Sequence, residues 1–361
     1  MSSAARPLIV PTAHPQLEEA LRFKLERRVA TAGGLGELVP LALRLGLIQG
    51  TLRPRLRQPQ LLLFAGDHGL AVDLNPPQHH STAAQIEDLL ACRVPLPVFA
   101  HQQGMTLDIV DCGLASAMPA RPGMLLRKIA HGTRNGRVTA AMTLDQVNAA
   151  LRAGMEIAKA LPGNVLGCAG LGVGSGASAA LVISRITGLP LRELVRSSAR
   201  MDEDELNHVL AVLHSAHSRH PGSEDPVQAL ASFGGFEMAV MVGAMLSAAE
   251  RRMLILVDGM SACAALLVAS QIAPAVVDYA LFCRSTDHRG LDVVLAGFES
   301  AALLALGLES IDGTGTALSW PLVRAACALL TEVEDTVEPM PPPAEPAETT
   351  PSDFDPRPLR G

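Results

Sequence analysis

Lysine is nearly absent from this 361-residue chain, which contains three lysines and carries a formal net charge of −7. Its arginines are scattered along the sequence rather than clustered. Proteins that bind nucleic acids neutralise backbone phosphates with patches of lysine and arginine. The charge and its distribution therefore argue against a nucleic-acid-binding protein.

Aromatic residues are also scarce, at 3% of the chain, although 48% of the residues are hydrophobic. Alanine, leucine and valine supply most of the apolar side chains, and glycine is frequent. Small side chains favour close packing of helices against a sheet. A chain of this length can bury a large core in one big domain or two moderate ones.

Closely spaced cysteine pairs, a secretory leader and an uninterrupted apolar run are missing as well. The six cysteines stand far apart, so we expect buried thiols in a reducing compartment, and the cytoplasm is the predicted location. The most membrane-like run, 253–273, is broken by polar residues, which favours a buried strand, a turn and a helix, and no membrane association. The interruptions are Asp258, Gly259, Ser261 and Gln271.

The hydrophobic pattern divides the chain into four parts. Leucines recur at helical spacing within 1–60, and short apolar runs alternate with longer amphipathic stretches in the Rossmann-like core, 61–310. Residues 311–334 form a last predicted helix that closes the site, and 335–361 are rich in proline and glutamate, so we expect disorder there. The predicted fold class is α/β, a doubly wound, mostly parallel sheet with helices on both faces, plus a small helical subdomain from the N- and C-terminal parts.

Polar and glycine-rich segments follow the predicted strands. In a doubly wound sheet, ligands bind at the carboxyl ends of the strands, so we expect the binding site to be built from these segments. They are 66–69, 111–113, 169–176, 258–259 and 283–287.

The segment 170–176 has glycine at every second position, directly after a predicted strand and before a predicted helix. Exposed amides at a helix start form an anion site, which makes Gly172, Gly174, Ser175 and Gly176 candidate ligand-binding residues. A close-packed strand-to-helix turn is the alternative. No Walker lysine follows, so the segment does not match a P-loop.

A second glycine-rich turn, Asp312-Gly313-Thr314-Gly315-Thr316, also precedes a predicted helix. Its carboxylate could accept a proton from a bound nucleophile while the neighbouring amides hold polar atoms. The alternative is that Asp312 only caps the helix or the turn.

Single polar residues after other strands are weaker candidates. Asp67, His68 and Asp258 could bind sugar hydroxyls or polarise a substrate, and Ser285 lies in the last strand-end segment. A residue of this kind in such a position is more often a turn residue or a cap.

For two further polar features, the sequence gives no reason to expect a role in binding or catalysis. His79 and His80 are adjacent, face opposite ways on an extended chain and lack a spaced partner, so we predict no metal site and no cofactor. Glu237 follows two glycines at a predicted helix start, where its carboxylate favours the positive end of the helix.

Six regions in a fixed order resemble the nicotinate-nucleotide:dimethylbenzimidazole phosphoribosyltransferases over about residues 15–333. Several motifs in the right order are specific, whereas one alone would not be. The regions are FAGDHGLA (64–71), IVDCGL (109–114), KIAHGTRN with AAMT (128–135 and 140–143), SFGGFEMAVMVGAMLSAA (232–249), ILVDGMSACAALL (255–267) and DGTGTAL (312–318).

This resemblance implies a transferase that moves the 5-phosphoribosyl group of nicotinate mononucleotide to dimethylbenzimidazole or a similar aromatic base. The product is α-ribazole phosphate, used for the lower ligand of cobalamin. The implied partners are these small molecules, and the expected assembly is a homodimer or a heterodimer with a homologue.

The resemblance also implies roles for individual residues. The family's proposed general base, a glutamate in G-E-G-[ST]-G-A, matches Asp312, with 313–315 retained around it. The family's phosphate loop, G-E-M-G-I-G-N-T-T, matches 169–177 and retains Gly172 and Gly174.

Several positions depart from the family pattern. Gly170 stands where the loop carries glutamate, Ser175 and Gly176 replace asparagine and threonine, and a family G-x-G-T-G stretch reads Arg-Ser-Ser-Ala-Arg at 196–200. Asp312 is one methylene shorter than glutamate, and a displacement of about 1 Å can cost on the order of 100-fold in rate.

The family's phosphate-binding lysine aligns near Val209, which removes a cation from that place. Arg196, Arg200 and Arg284 are the candidates to replace it. The joint loss of lysine and glutamates leaves two alternatives to an active transferase: a catalytically impaired paralogue that partners an active homologue, and a nucleotide-binding sensor.

Overall fold

The computed structural model describes residues 8–29, 34–74, 81–195, 202–222 and 225–334. The predicted tail, 335–361, lies outside the described residues, as do His79 and His80.

A parallel sheet of six strands forms the centre of the protein. The strands are β1 (Gln60–Gly66), β2 (Thr106–Gly113), β3 (Met124–Leu126), β4 (Val165–Leu171), β5 (Leu254–Asp258) and β6 (Ala280–Cys283). They lie in the order β3-β2-β1-β4-β5-β6, and every neighbouring pair is parallel. Strands β2 and β3 are therefore added on one side of β1, and strands β4, β5 and β6 are added on its other side. Such a reversal leaves a crevice at the carboxyl ends of the strands.

Continuous apolar sequence explains the central strands. All residues of β1, β4, β5 and β6 are buried, which is typical of parallel strands covered on both faces.

Helices surround this sheet. The α-helices of the described residues are α1 (Pro15–Val29), α2 (Leu38–Gln49), α3 (Thr82–Leu90), α4 (Pro95–Gln102), α5 (Leu144–Ala160), α6 (Ser175–Thr187), α7 (Leu191–Leu194), α8 (Glu203–Arg219), α9 (Pro226–Phe233), α10 (Phe236–Glu250), α11 (Met260–Ile272), α12 (Arg289–Gly297) and α13 (Thr314–Thr331). Short 3-10 helices span Gly69–Val72 and Pro274–Tyr279.

The helices cover both faces of the sheet, as the sequence predicts. Gly170 of β4 faces Ser261 and Met241, on α11 and α10. Gly167, three residues earlier, faces Thr316 of α13. Since residues three apart on a strand point to opposite faces, α10 and α11 cover one face and α13 covers the other.

The N-terminal helices pack against the C-terminal helix. α2 contacts α13 extensively, and α1 contacts both of them. The leucines that recur at helical spacing in α1 and α2, such as Leu21 with Leu25 and Leu41 with Leu45, are buried. The division of the chain into a core and a small helical subdomain stays a prediction.

Sequence-based boundaries were close but incomplete. The run 253–273 is strand, turn and helix, as predicted, and no helix in the described ranges is both long and apolar enough to cross a membrane. The strand β3 was not predicted. Five cysteines are buried as expected, but Cys92 is exposed, which corrects the expectation that all six thiols are buried.

The helices α5 and α10 approach each other closely at a glycine. A Cβ atom at Gly154 of α5 would fall 1.9 Å from the carbonyl oxygen of Val240 in α10. We expect Gly154→Ala to lower the free energy of unfolding by about 1–3 kcal/mol, since the helices must move apart. Urea denaturation measures this change. The matched control is Gly297→Ala in α12, where no atom lies within 4 Å of the added methyl; equal stability of the two variants would contradict this account of the packing.

Candidate active site

A cavity of about 700 Å³ opens beyond the carboxyl ends of β4, β5 and β6. Residues 170–172 and 174–177, at the end of β4 and the start of α6, line one part of it, and 309–312, which precede α13, line another. Residues 259–261, after β5, lie between them. The two glycine-containing turns singled out in the sequence therefore border the same space.

The first turn leads from β4 into α6. Gly172 passes so close to β1 that a Cβ atom there would fall 2.1 Å from the carbonyl oxygen of Gly66, which explains the glycine. Gly172, Gly174, Ser175 and Gly176 all line the cavity, as does Ala177. The amides at 176 and 177 belong to the first helical turn, where no intrahelical acceptor is available. A helix start of this kind favours an anion.

Asp312, the first residue of the second turn, lies at the cavity wall. Its carboxylate packs directly over Gly259, where a Cβ atom would fall 2.0 Å from Oδ2. Gly259 also has a φ of +89°, so both the backbone and the available space exclude a side chain. Burial, and then the charges of Asp258 and Asp312, raise the pKa of the Cys263 thiol, which places both carboxylates near that residue.

Asp258 holds the second turn in place. It is fully buried at the end of β5, and its Oδ2 accepts hydrogen bonds from the amides of Gly313 (3.0 Å) and Thr316 (2.8 Å). The same oxygen accepts from the hydroxyls of Ser285 (2.8 Å) and Thr316 (3.2 Å). Burial raises the pKa of Asp258, although these hydrogen bonds act in the opposite direction.

Ser285 extends this arrangement, because its Oγ also accepts from the amide of Gly315 at 2.7 Å. The Thr314 hydroxyl donates to the carbonyl of Ile311 at 2.7 Å. Asp258, Ser285 and 313–315 are buried, and the cavity is lined by their neighbours instead. They shape the turn that carries Asp312, and the predicted contact of these residues with substrate stays a prediction.

Asp67 is also placed away from the cavity. Its Oδ2 accepts a hydrogen bond from the amide of Ala115 at 2.8 Å, and its carbonyl accepts from the amide of Thr133 at 2.9 Å. These contacts are those of a turn residue, the role that the sequence left open, and the substrate contact of Asp67 stays a prediction.

A buried polar network lies beneath the first turn, and sequence reasoning missed it. His68 Nε2 lies 2.9 Å from Glu237 Oε1, and His68 Nδ1 lies 2.9 Å from the Ser178 hydroxyl. The Ser175 hydroxyl donates to the same Glu237 oxygen at 3.0 Å and lies 2.6 Å from the hydroxyl of Ser261. His68 and Glu237 are almost completely buried, so their polar atoms depend on these contacts within the network.

The cavity is poor in positive charge. Among the residues that the structure describes, no lysine or arginine lines it. Val209 does line it, and the family's phosphate-binding lysine aligns near this residue. Arg284 forms ion pairs with Asp287 (2.6 Å) and Asp292 (2.7 Å) outside the cavity lining, so it is not a replacement. The candidates Arg196 and Arg200 lie outside the described residues.

One imidazole, that of His288, lines the cavity on the side of β6. Its Nδ1 accepts a hydrogen bond from the amide of Leu291 at 3.3 Å, at the start of α12. No cluster of three or more histidine, cysteine, aspartate or glutamate side chains within the described ranges is arranged to hold a metal ion.

The chain matches known proteins over most of its length. A family model described as phosphoribosyltransferase matches residues 10–338. A nicotinate-nucleotide–dimethylbenzimidazole phosphoribosyltransferase from Cupriavidus taiwanensis is 43% identical over 329 residues, which cover 88% of this chain and 94% of that protein. A protein of the same name from Dechloromonas aromatica is 40% identical, with 88% and 93% covered.

The fold is also similar to a solved structure. The crystal structure of CobT from Thermus thermophilus superposes with a TM-score of 0.81 and 28% sequence identity. The match covers 88% of this chain and 96% of the bacterial protein.

Proposed function

The chain belongs to the nicotinate-nucleotide–dimethylbenzimidazole phosphoribosyltransferase family, and on this premise we propose that it transfers the 5-phosphoribosyl group of nicotinate mononucleotide to dimethylbenzimidazole or a similar aromatic base. One observation carries the assignment to this cavity. A carboxylate, Asp312, and the open start of α6 border the same space at the carboxyl ends of the strands.

The α6 start is the proposed phosphate site. The amides of Gly176 and Ala177 supply donors, and the helix dipole adds favourable potential for a dianion. With Val209 in the wall, the described part of the site offers backbone donors and dipoles in place of a side-chain cation.

Asp312 is the proposed general base. In the transfer, a nitrogen of the base attacks C1′ of the ribose, the bond from C1′ to the nicotinate nitrogen breaks, and nicotinate leaves with that electron pair. The attacking ring nitrogen carries no proton, so bond formation at C1′ makes the ring cationic, and the N–H of the other ring nitrogen then gives its proton to the Asp312 carboxylate. A base must lie within hydrogen-bond reach of that proton, and the position of Asp312 at the wall permits this.

Apolar side chains complete the proposed site for the aromatic base. They suit a flat ring whose polar edge points toward Asp312. Those that line the cavity include Leu171, Leu194, Val195, Met260, Leu291 and Ile311.

The direct test is incubation of the purified protein with nicotinate mononucleotide and dimethylbenzimidazole, followed by chromatography of the products. We expect release of nicotinate in a 1:1 ratio to a new riboside phosphate. Absence of nicotinate release with dimethylbenzimidazole and with a panel of related bases would contradict the proposed function.

The alternative of a catalytically impaired partner subunit gains no support from the comparisons, since the relatives described above carry the name of the active transferase. We propose a homodimer as the working form. Exposed apolar side chains at the N-terminal end support it, namely Leu8, Val10 and Phe23. The cytoplasmic location stays a prediction from the sequence.

A further inference from the structure

Ser261 is the second residue of α11 and lines the cavity directly after β5. Its hydroxyl oxygen lies 2.6 Å from that of Ser175, which also lines the cavity. Ser175 in turn donates to Glu237 Oε1 at 3.0 Å. A chain of three side chains thus runs from the buried interior to the cavity wall.

The number of available protons fixes the direction of these hydrogen bonds. A hydroxyl has one proton and two acceptor lone pairs, and a carboxylate only accepts. Glu237 Oε1 takes the Ser175 proton, and His68 Nε2 lies 2.9 Å from the same oxygen. Because Ser175 gives its one proton to Glu237, we infer that Ser261 is the donor in the bond between the two serines.

Ser261 therefore has no proton left for a ligand. Its single proton is directed at Ser175, and its oxygen keeps one or more lone pairs for the cavity. Rotation of the hydroxyl to offer a proton to a ligand would leave Ser175 without its donor in a buried setting, which is unfavourable.

The position of the Ser261 side chain is fixed by packing. The residue is buried, and a Cβ atom added to Gly170 would fall 2.6 Å from its Cβ and 3.1 Å from its Oγ. Ser261 thus fills the space beside the end of β4 that a side chain at position 170 would need. The acceptor at this wall comes from α11 rather than from the β4 turn.

We propose that Ser261 is an obligate hydrogen-bond acceptor in the cavity and selects a donor group of the substrate. The donor is a ribose hydroxyl of the ribotide or the ring N–H of the aromatic base. Toward Ser261, Ser175 and Glu237 are positioning residues, because they orient its hydroxyl. The identity of the ligand rests on the proposed function, whereas the polarity of Ser261 rests on the hydrogen-bond network alone.

Binding measurements test the acceptor role without requiring turnover. Titration calorimetry of Ser261→Ala with nicotinate mononucleotide, and separately with dimethylbenzimidazole, is expected to show about 3- to 10-fold weaker binding for the ligand that supplies the donor. Ser247→Ala is the matched control. Ser247 is likewise buried, but it lies in α10 away from the cavity lining, and no partner for its hydroxyl occurs among the described residues.

Three analogues identify the donor. They are the 2′-deoxy and 3′-deoxy forms of nicotinate mononucleotide and a dimethylbenzimidazole methylated on its ring nitrogen. In one of the three, wild type and Ser261→Ala should bind equally well, because the group that Ser261 accepts from is missing. Unchanged affinity of Ser261→Ala for both parent ligands, or an equal loss with every analogue, would overturn the proposal.

Ser175→Ala gives an independent readout. Without the Ser175 oxygen as acceptor, the Ser261 hydroxyl can turn its proton toward a ligand. The variant should therefore discriminate less well, by about 3-fold or more, between the parent ligand and the analogue that lacks the donor. Full discrimination in Ser175→Ala would contradict the proton order derived above. Failure of the wild type to release nicotinate would instead count against the proposed function.

Discussion

Replacing Asp312 by asparagine is expected to lower kcat by about 10²- to 10⁴-fold, the range typical of a lost general base. Asparagine has nearly the same shape and keeps the contact over Gly259, so the turn should stay folded. Since the carboxylate is not assigned to the phosphate, affinity for nicotinate mononucleotide should change by less than about 3-fold. Steady-state kinetics and calorimetry on the same sample measure both quantities.

The matched control for this variant is Asp287→Asn. Asp287 is exposed and pairs with Arg284 outside the cavity lining, so its neutralisation should leave kcat unchanged. Asp312→Glu keeps the carboxylate and lengthens the side chain, so it tests whether the space over Gly259 requires the shorter residue. If Asp312→Asn retained full activity, Asp312 would have no place in the mechanism.

Replacing Asp258 by alanine is expected to damage both stability and catalysis, although Asp258 does not line the cavity. Its Oδ2 accepts from four buried donors, and each donor left without an acceptor costs about 1–3 kcal/mol. We expect the free energy of unfolding to fall by about 3 kcal/mol or more, as measured by urea denaturation.

The catalytic loss in Asp258→Ala follows from displacement of Asp312. The turn 312–316 loses its central acceptor, and a shift of about 1 Å in a reacting group can cost on the order of 100-fold in rate. The expected pattern is a lower kcat for a fully folded sample, assayed at a temperature well below the unfolding transition. Full activity in that sample would show that the turn is held by other contacts.

The layout of the fold was accessible from sequence because its main determinants are local. Strands such as β1 and β4 are continuous apolar runs, and each is followed by glycine or a polar residue. The strand β3 was missed because it has three residues at the edge of the sheet, too few for a pattern. The helices α6 and α13 begin at Ser175 and Thr314, inside the segments 170–176 and 312–316 that were interpreted as turns, because serine, threonine and glycine are weak helix formers and tertiary contacts override that tendency.

The site was predictable in position but only partly in roles. That 170–176 and 312–316 lie near a common cavity follows from the order of strands and turns. The function of Asp258 does not, because its partners Ser285, Gly313 and Thr316 come from other segments and meet it only in the folded chain. The pairing of His68 with Glu237 is equally remote in sequence. Sequence spacing carries no signal for contacts of this kind.

The most direct test of the account is a crystal structure of the protein with nicotinate mononucleotide bound. The phosphate should lie within hydrogen-bond distance of the amides of Gly176 and Ala177, with C1′ of the ribose turned toward the Asp312 carboxylate. A ribotide bound elsewhere, or one whose phosphate lies beside Asp312 and away from the start of α6, would contradict the central claim.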